Sequence, residues 1–95
     1  MLLLEAGGVE ASGEKHIPVA TVENNLVRVN VGSVNHPMSE EHLIEWVAVE
    51  TDRGALMQYL SANDAPEVVF ALAENQKAVA VYAYCNLHGL WKAAL

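Results

Sequence analysis

Short apolar runs, cut at near-regular intervals by clusters of turn-forming residues, leave this chain little freedom of architecture. The clusters are Glu23-Asn24-Asn25, residues 33–39, Asp52-Arg53-Gly54, Asn63-Asp64-Ala65-Pro66 and Glu74-Asn75-Gln76. The runs between them are rich in Val, Ile and Ala and too short for typical helices. In residues 26–31, Val27, Val29 and Val31 alternate with Arg28 and Asn30, the pattern of a strand with one buried and one wet face. Segments 43–50, 55–60, 68–73 and 78–84 are apolar on both alternating faces or rich in alanine. Periodicity alone leaves helix open for the last two, and length and punctuation decide for strand. The expected fold is all-β, an immunoglobulin-like antiparallel sandwich of about seven strands, without the Cys and Trp spacing of antibody domains.

With 95 residues, the chain is sized for one domain. Residues 1–13, punctuated by Gly7, Gly8 and Gly13, read as an N-terminal arm, and residues 14–95 as the folded domain. Apolar residues make up 53% of the chain, enough to build a core. No run approaches the roughly 20 apolar residues that span a bilayer, and Met1-Leu2-Leu3-Leu4 runs straight into Glu5 without a basic flank. A cytoplasmic protein with no membrane partner is expected. The formal charge of −7 opposes contact with phosphate backbones, and Lys15, Arg28, Arg53, Lys77 and Lys92 are scattered singly, so nucleic acid is not an expected partner. One cysteine cannot form an internal disulfide, which leaves packing, a metal or oligomerisation to hold the domain.

The chemistry-bearing residues are His16, His36, His42, His88 and Cys85. Imidazoles with one thiolate suit a transition metal. Cys85 and His88 are three apart at a strand end, where a turn can aim both side chains at one point. His36 and His42 bracket Pro37-Met38-Ser39-Glu40-Glu41, a turn or short helical cap that can bring both rings to one edge of a sandwich. Taken singly, each histidine is as well explained at the surface or satisfied in the core, and Cys85 as a small buried hydrophobe. Spacing leaves a metal site and these structural readings evenly balanced.

Three strings decide between them. Glu14-Lys15-His16-Ile17-Pro18, His36-Pro37-Met38-Ser39-Glu40-Glu41-His42-Leu43-Ile44-Glu45-Trp46 and Tyr84-Cys85-Asn86-Leu87-His88-Gly89-Leu90-Trp91 closely resemble, in the same order, the iron-binding domain of the superoxide reductase family, the neelaredoxins and desulfoferrodoxins. The resemblance covers roughly residues 14–92. It implies one mononuclear non-haem iron per chain, with His16, His36, His42 and His88 equatorial and Cys85 axial. It further implies that Glu14 takes the sixth position when the iron is ferric, and that Lys15 stands beside the open position and attracts the substrate. The implied activity is one-electron reduction of superoxide to hydrogen peroxide without release of dioxygen. A rubredoxin or similar small electron donor and a homo-oligomer, dimer or tetramer, follow from the same resemblance. The four-cysteine domain of the longer desulfoferrodoxins has no counterpart among these residues, so a second iron is not expected.

Two other readings use the same residues. A cupredoxin copper site would take His42, Cys85 and His88, but no methionine follows His88, and His16 and His36 would have no role. A structural zinc site would close at four ligands, against five matching positions.

Overall fold

The computed structural model describes residues 17–32 and 36–95. Glu14, Lys15, His16 and residues 1–13, expected to form an arm, lie outside the described residues. The described residues form seven strands: β1 (Pro18–Glu23), β2 (Leu26–Val31), β3 (Ile44–Thr51), β4 (Gly54–Tyr59), β5 (Glu67–Ala71), β6 (Ala78–Cys85) and β7 (Gly89–Ala94). They form a three-stranded sheet in the order β1-β2-β5 and a four-stranded sheet in the order β4-β3-β6-β7, with every pairing antiparallel. Strands β2 and β6 pair with β5 and β3, which are distant in sequence, as the crossed connections of an immunoglobulin-like sandwich require.

The core lies between the two sheets. Val27, Val29 and Val31 of β2 face Ile44, Val47 and Val49 of β3 and Val81, Ala83 and Cys85 of β6, joined by Val68, Phe70 and Leu72. The alternation in residues 26–31 is therefore read out directly, with the three valines fully buried and Arg28 outside. Arg28 meets Glu67 at 3.7 Å on the outer face of the three-stranded sheet, a solvated pair that adds little stability.

At one end of the sandwich, Thr51 is the hub of the polar connections. Its buried hydroxyl donates to Gly54 O at 2.6 Å and accepts from Arg53 N at 3.1 Å and Gln76 Nε2 at 2.8 Å. One donor and two acceptor sites are thereby all used. Gly54 has φ +118, a conformation that a side chain would strain, and it turns the chain from β3 into β4. Replacing Thr51 with valine keeps the shape and removes all three bonds. We expect a loss of about 1–3 kcal/mol, read as a melting temperature lower by roughly 5–20 °C. An unchanged melting temperature would contradict this role.

One feature differs from the sequence expectation. Strand β4 reads as apolar on both faces, the mark of a doubly covered strand, yet all six of its residues are exposed. It is the edge of the four-stranded sheet.

Candidate metal centre

The other end of the sandwich gathers His36, His42, His88 and Cys85, because β2 and β6 end there and β3 begins there. His36 follows β2 after residues 33–35 and is almost fully buried, at 2% exposure. Its amide donates to Val31 O at 3.2 Å, which ties it back to the end of β2. Its Nδ1 lies 2.7 Å from Pro37 O. A carbonyl only accepts, so Nδ1 carries the proton and Nε2 of the neutral ring keeps the lone pair. Ring orientation and tautomer are thus fixed by the backbone, the usual arrangement behind a metal-ligating histidine.

The stretch between His36 and His42 is a turn rather than a helix. Ser39 N donates to His42 O at 2.9 Å, Ser39 Oγ donates to the same carbonyl at 3.2 Å, and His42 N donates back to Ser39 Oγ at 3.2 Å. This reciprocal closure aims His42 inward, and its Nε2 is shielded from solvent. Met38 packs on the core with its sulfur 3.4 Å from Ile44 N.

Cys85 ends β6 with no exposure to solvent. It pairs with Ile44 on one side and Gly89 on the other. Between Ile44 and Trp46 the register shifts, so Glu45 bulges from the ladder beside the cysteine, and Glu45 O accepts instead from Leu60 N at 2.9 Å. Asn86, Leu87 and His88 form the hairpin loop to β7, closed by Gly89 at φ +82. A three-residue hairpin needs a left-handed residue in this place, which glycine supplies without strain. The hairpin returns His88 to the cysteine, with Nδ1 3.8 Å from Cys85 Sγ.

These pieces converge. One ligand atom each from His36, His42 and Cys85 lies within 4.8 Å of the others. The rings of His36 and His42 meet edge to face at 4.7 Å, and those of His42 and His88 at 5.0 Å. Donors about 2.0–2.3 Å from a shared first-row metal ion are at most roughly 4.6 Å apart. The three donors are therefore assembled to within a few tenths of an ångström of one coordination sphere. Three imidazoles and a soft thiolate fit iron, copper or zinc and fit calcium or magnesium poorly. A copper set limited to His42, Cys85 and His88 would omit His36, which belongs to the same tight group.

Sequence reasoning missed Asn86 as an organiser of this end. Its side chain accepts from Leu43 N at 3.1 Å and donates to Glu41 O at 3.0 Å, while its own amide donates to Leu43 O at 3.2 Å. One residue thereby staples the segment carrying His42 to the loop carrying Cys85 and His88. The only sequence signal is a polar residue lodged between two candidate ligands. Asn86→Ala should weaken metal affinity by about 10- to 100-fold while leaving the core intact. Competition with a chelator measures this, and unchanged affinity would assign Asn86 to the hairpin alone.

An open recess of about 490 Å³, lined by Asn24, Asn25, Glu74 and Gln76, lies at the opposite end, where β1 turns into β2. It shares no residue with the histidine cluster. Among the described residues, no helix is long and apolar enough to cross a membrane.

Comparison with known proteins agrees with this geometry. A family model described as Desulfoferrodoxin matches residues 8–94. The desulfoferrodoxin of Syntrophotalea carbinolica is 45% identical over 91 residues, which cover 96% of this chain and 71% of that protein. The superoxide reductase of Thermococcus kodakarensis is 35% identical, with 84% of each chain covered. The crystal structure of the superoxide reductase from Treponema pallidum superposes with a TM-score of 0.90 at 46% identity, covering 94% of this chain and 74% of that one.

Proposed function

This chain belongs to the desulfoferrodoxin family, and from that premise we propose that it is a superoxide reductase acting at one mononuclear iron. The observation that carries the reading is the convergence of His36, His42 and Cys85 within 4.8 Å, with His88 beside them. His16 completes the proposed set of four imidazoles and one thiolate. When bound there, iron supplies the single electron that converts superoxide and two protons into hydrogen peroxide, with no dioxygen released.

The protein's own groups set the conditions for that chemistry. Cys85 offers a soft, strongly donating sulfur, and its complete burial keeps competing water away from that side. The Pro37 carbonyl holds His36 in one tautomer, and the Ser39 turn does the same for the direction of His42. Lys15 is assigned the attraction of the anionic substrate, and Glu14 the sixth position in the oxidised state. A chain of net charge −7 repels superoxide overall, so a cation at the site has to offset the global field.

The electron is proposed to come from a rubredoxin-like small redox protein, and the chain is read as a homo-oligomer. We assign residues 14–95 to the iron-binding domain and residues 1–13 to an arm. A cytoplasmic setting suits a lone cysteine employed as a ligand.

Lys15→Ala should lower the second-order rate with superoxide about tenfold and flatten its dependence on ionic strength, with the iron content unchanged. Stopped-flow mixing across a salt series reads both effects. A variant with unaltered rate and salt slope would remove Lys15 from the site. The reading as a whole is tested by metal analysis of protein grown with iron. About one iron per chain, with a thiolate-to-ferric absorption on oxidation, supports it, and a tight copper site without turnover would overturn it.

A further inference from the structure

Met38 has a task that no hydrocarbon side chain could perform. It stands in the loop between His36 and His42, half-buried against the core, while its chain neighbours Pro37, Ser39 and Glu40 are exposed. Its carbonyl accepts from Asn63 N at 2.9 Å, and its Sδ accepts from Ile44 N at 3.4 Å. The bond to sulfur has a structural cause. Asn86 N donates to Leu43 O, and Leu43 N donates to Asn86 Oδ1. In an antiparallel pair the next residue then turns its amide outward, so Ile44, opposite Cys85, points its N–H away from β6. Strand β4 ends at Tyr59, level with Trp46, and does not reach that amide. A residue with no solvent exposure thus gives its N–H to a thioether, a weak acceptor.

This sulfur is open to one particular reagent. A thioether has two lone pairs of opposite sense; Ile44 N engages one, and the other can be attacked. Hydrogen peroxide, the product of the proposed reaction, is neutral, so the chain's net charge of −7 does not repel it as it repels superoxide. In the attack the O–O bond breaks and an S–O bond forms. The sulfur gives up two electrons, and the peroxide is reduced to water. The lone pair left on a sulfoxide sulfur is a poor acceptor, and the new oxygen points away from Ile44. A buried N–H then loses its partner, and a polar group enters a side chain that packs on the core. Both disturbances fall on the loop that joins His36 to His42 and on the first residue of β3, opposite Cys85.

We propose that Met38 is a modification site, oxidised by hydrogen peroxide to a single sulfoxide epimer, and that this oxidation loosens the hold of His36, His42 and Cys85 on a metal ion. The origin of the peroxide rests on the reductase reading, whereas the reaction at Met38 does not. Accumulated product thereby acts as a brake on the site, and a methionine sulfoxide reductase releases it. Met57, 50% exposed on β4 and outside the loop, is the internal control.

The full chain loaded with zinc, which has no redox chemistry of its own, is treated with millimolar hydrogen peroxide and mapped by mass spectrometry. One added oxygen on Met38 is expected, with the zinc affinity lowered about tenfold in competition with a chelator. Of the two methionine sulfoxide reductases, each specific for one epimer, one alone should remove the oxygen and restore the affinity. That reversal sets Met38 apart from Cys85, whose oxidation these enzymes do not repair. Met57→Leu should respond as the wild type does. Met38→Leu, compared before and after treatment, should hold its affinity. An unmodified Met38 would overturn the proposal, whether or not Met57 takes up oxygen. So would a modified Met38 with unchanged affinity, equal repair by both reductases, or a loss of affinity that persists in Met38→Leu. A chain that yields no peroxide from superoxide would overturn the reductase reading and leave these results standing.

Discussion

Cys85→Ser should remove the thiolate-to-ferric absorption and lower superoxide reduction by about 100-fold or more. Serine differs by one atom and fits the same buried place at the end of β6, between Ile44 and Gly89. The core should therefore persist, with a melting temperature close to that of the wild type when both are freed of metal. The donor, however, changes from a soft, polarisable thiolate to a hard hydroxyl that stays protonated at neutral pH. Loss of the groups that merely orient ligands already costs roughly 10- to 100-fold, so loss of a ligand is placed at or beyond that limit. Stopped-flow mixing with superoxide and optical spectra of the oxidised protein read both effects. A Cys85→Ser variant with wild-type rate would make the cysteine a small hydrophobe of the core.

His42→Ala should empty the site. Its ring is the centre of the cluster, in edge contact with His36 on one side and His88 on the other, and its Nε2 is shielded from solvent. We expect iron content well below one per chain and activity lost by about two orders of magnitude. Stability separates the ligand role from a packing role. A metal bound only by the native state stabilises it, so loss of the ion should lower the melting temperature of a domain of this size by several degrees. In excess chelator the wild type loses the same contribution, and the gap between the two proteins should narrow. A gap that stays as wide without metal would mean that His42 acts through packing alone.

The parts of the fold legible in the sequence are those where one face is wet. The bounds of strand β2 are legible because Arg28 and Asn30 interrupt its valines. Strands β3 and β6 lie centrally in their sheet, and their runs of Val and Ala gave type by length but no facing. Strand β4 misled on burial, because an apolar run signals that a surface is covered without saying by what. The order of the motifs brought His36, His42, Cys85 and His88 into view, and the hairpin geometry of Cys85 to His88 follows from Gly89. The Asn86 staple was not legible, since its partners Glu41 and Leu43 are more than forty positions away in sequence. The tautomer of His36 depends on where the Pro37 carbonyl points, which only the fold decides. Glu14, Lys15 and His16 rest on the first motif and fall outside the described residues.

The most direct test of the iron reductase assignment is the product balance when anaerobic, iron-loaded ferrous protein meets superoxide in a single turnover. One hydrogen peroxide per superoxide consumed, one iron oxidised and no dioxygen evolved is the expected result. Dioxygen in equal yield with peroxide would be dismutation, and no oxidation of the iron would be no turnover at all. Either of these would contradict a reductase built on His36, His42, Cys85 and His88.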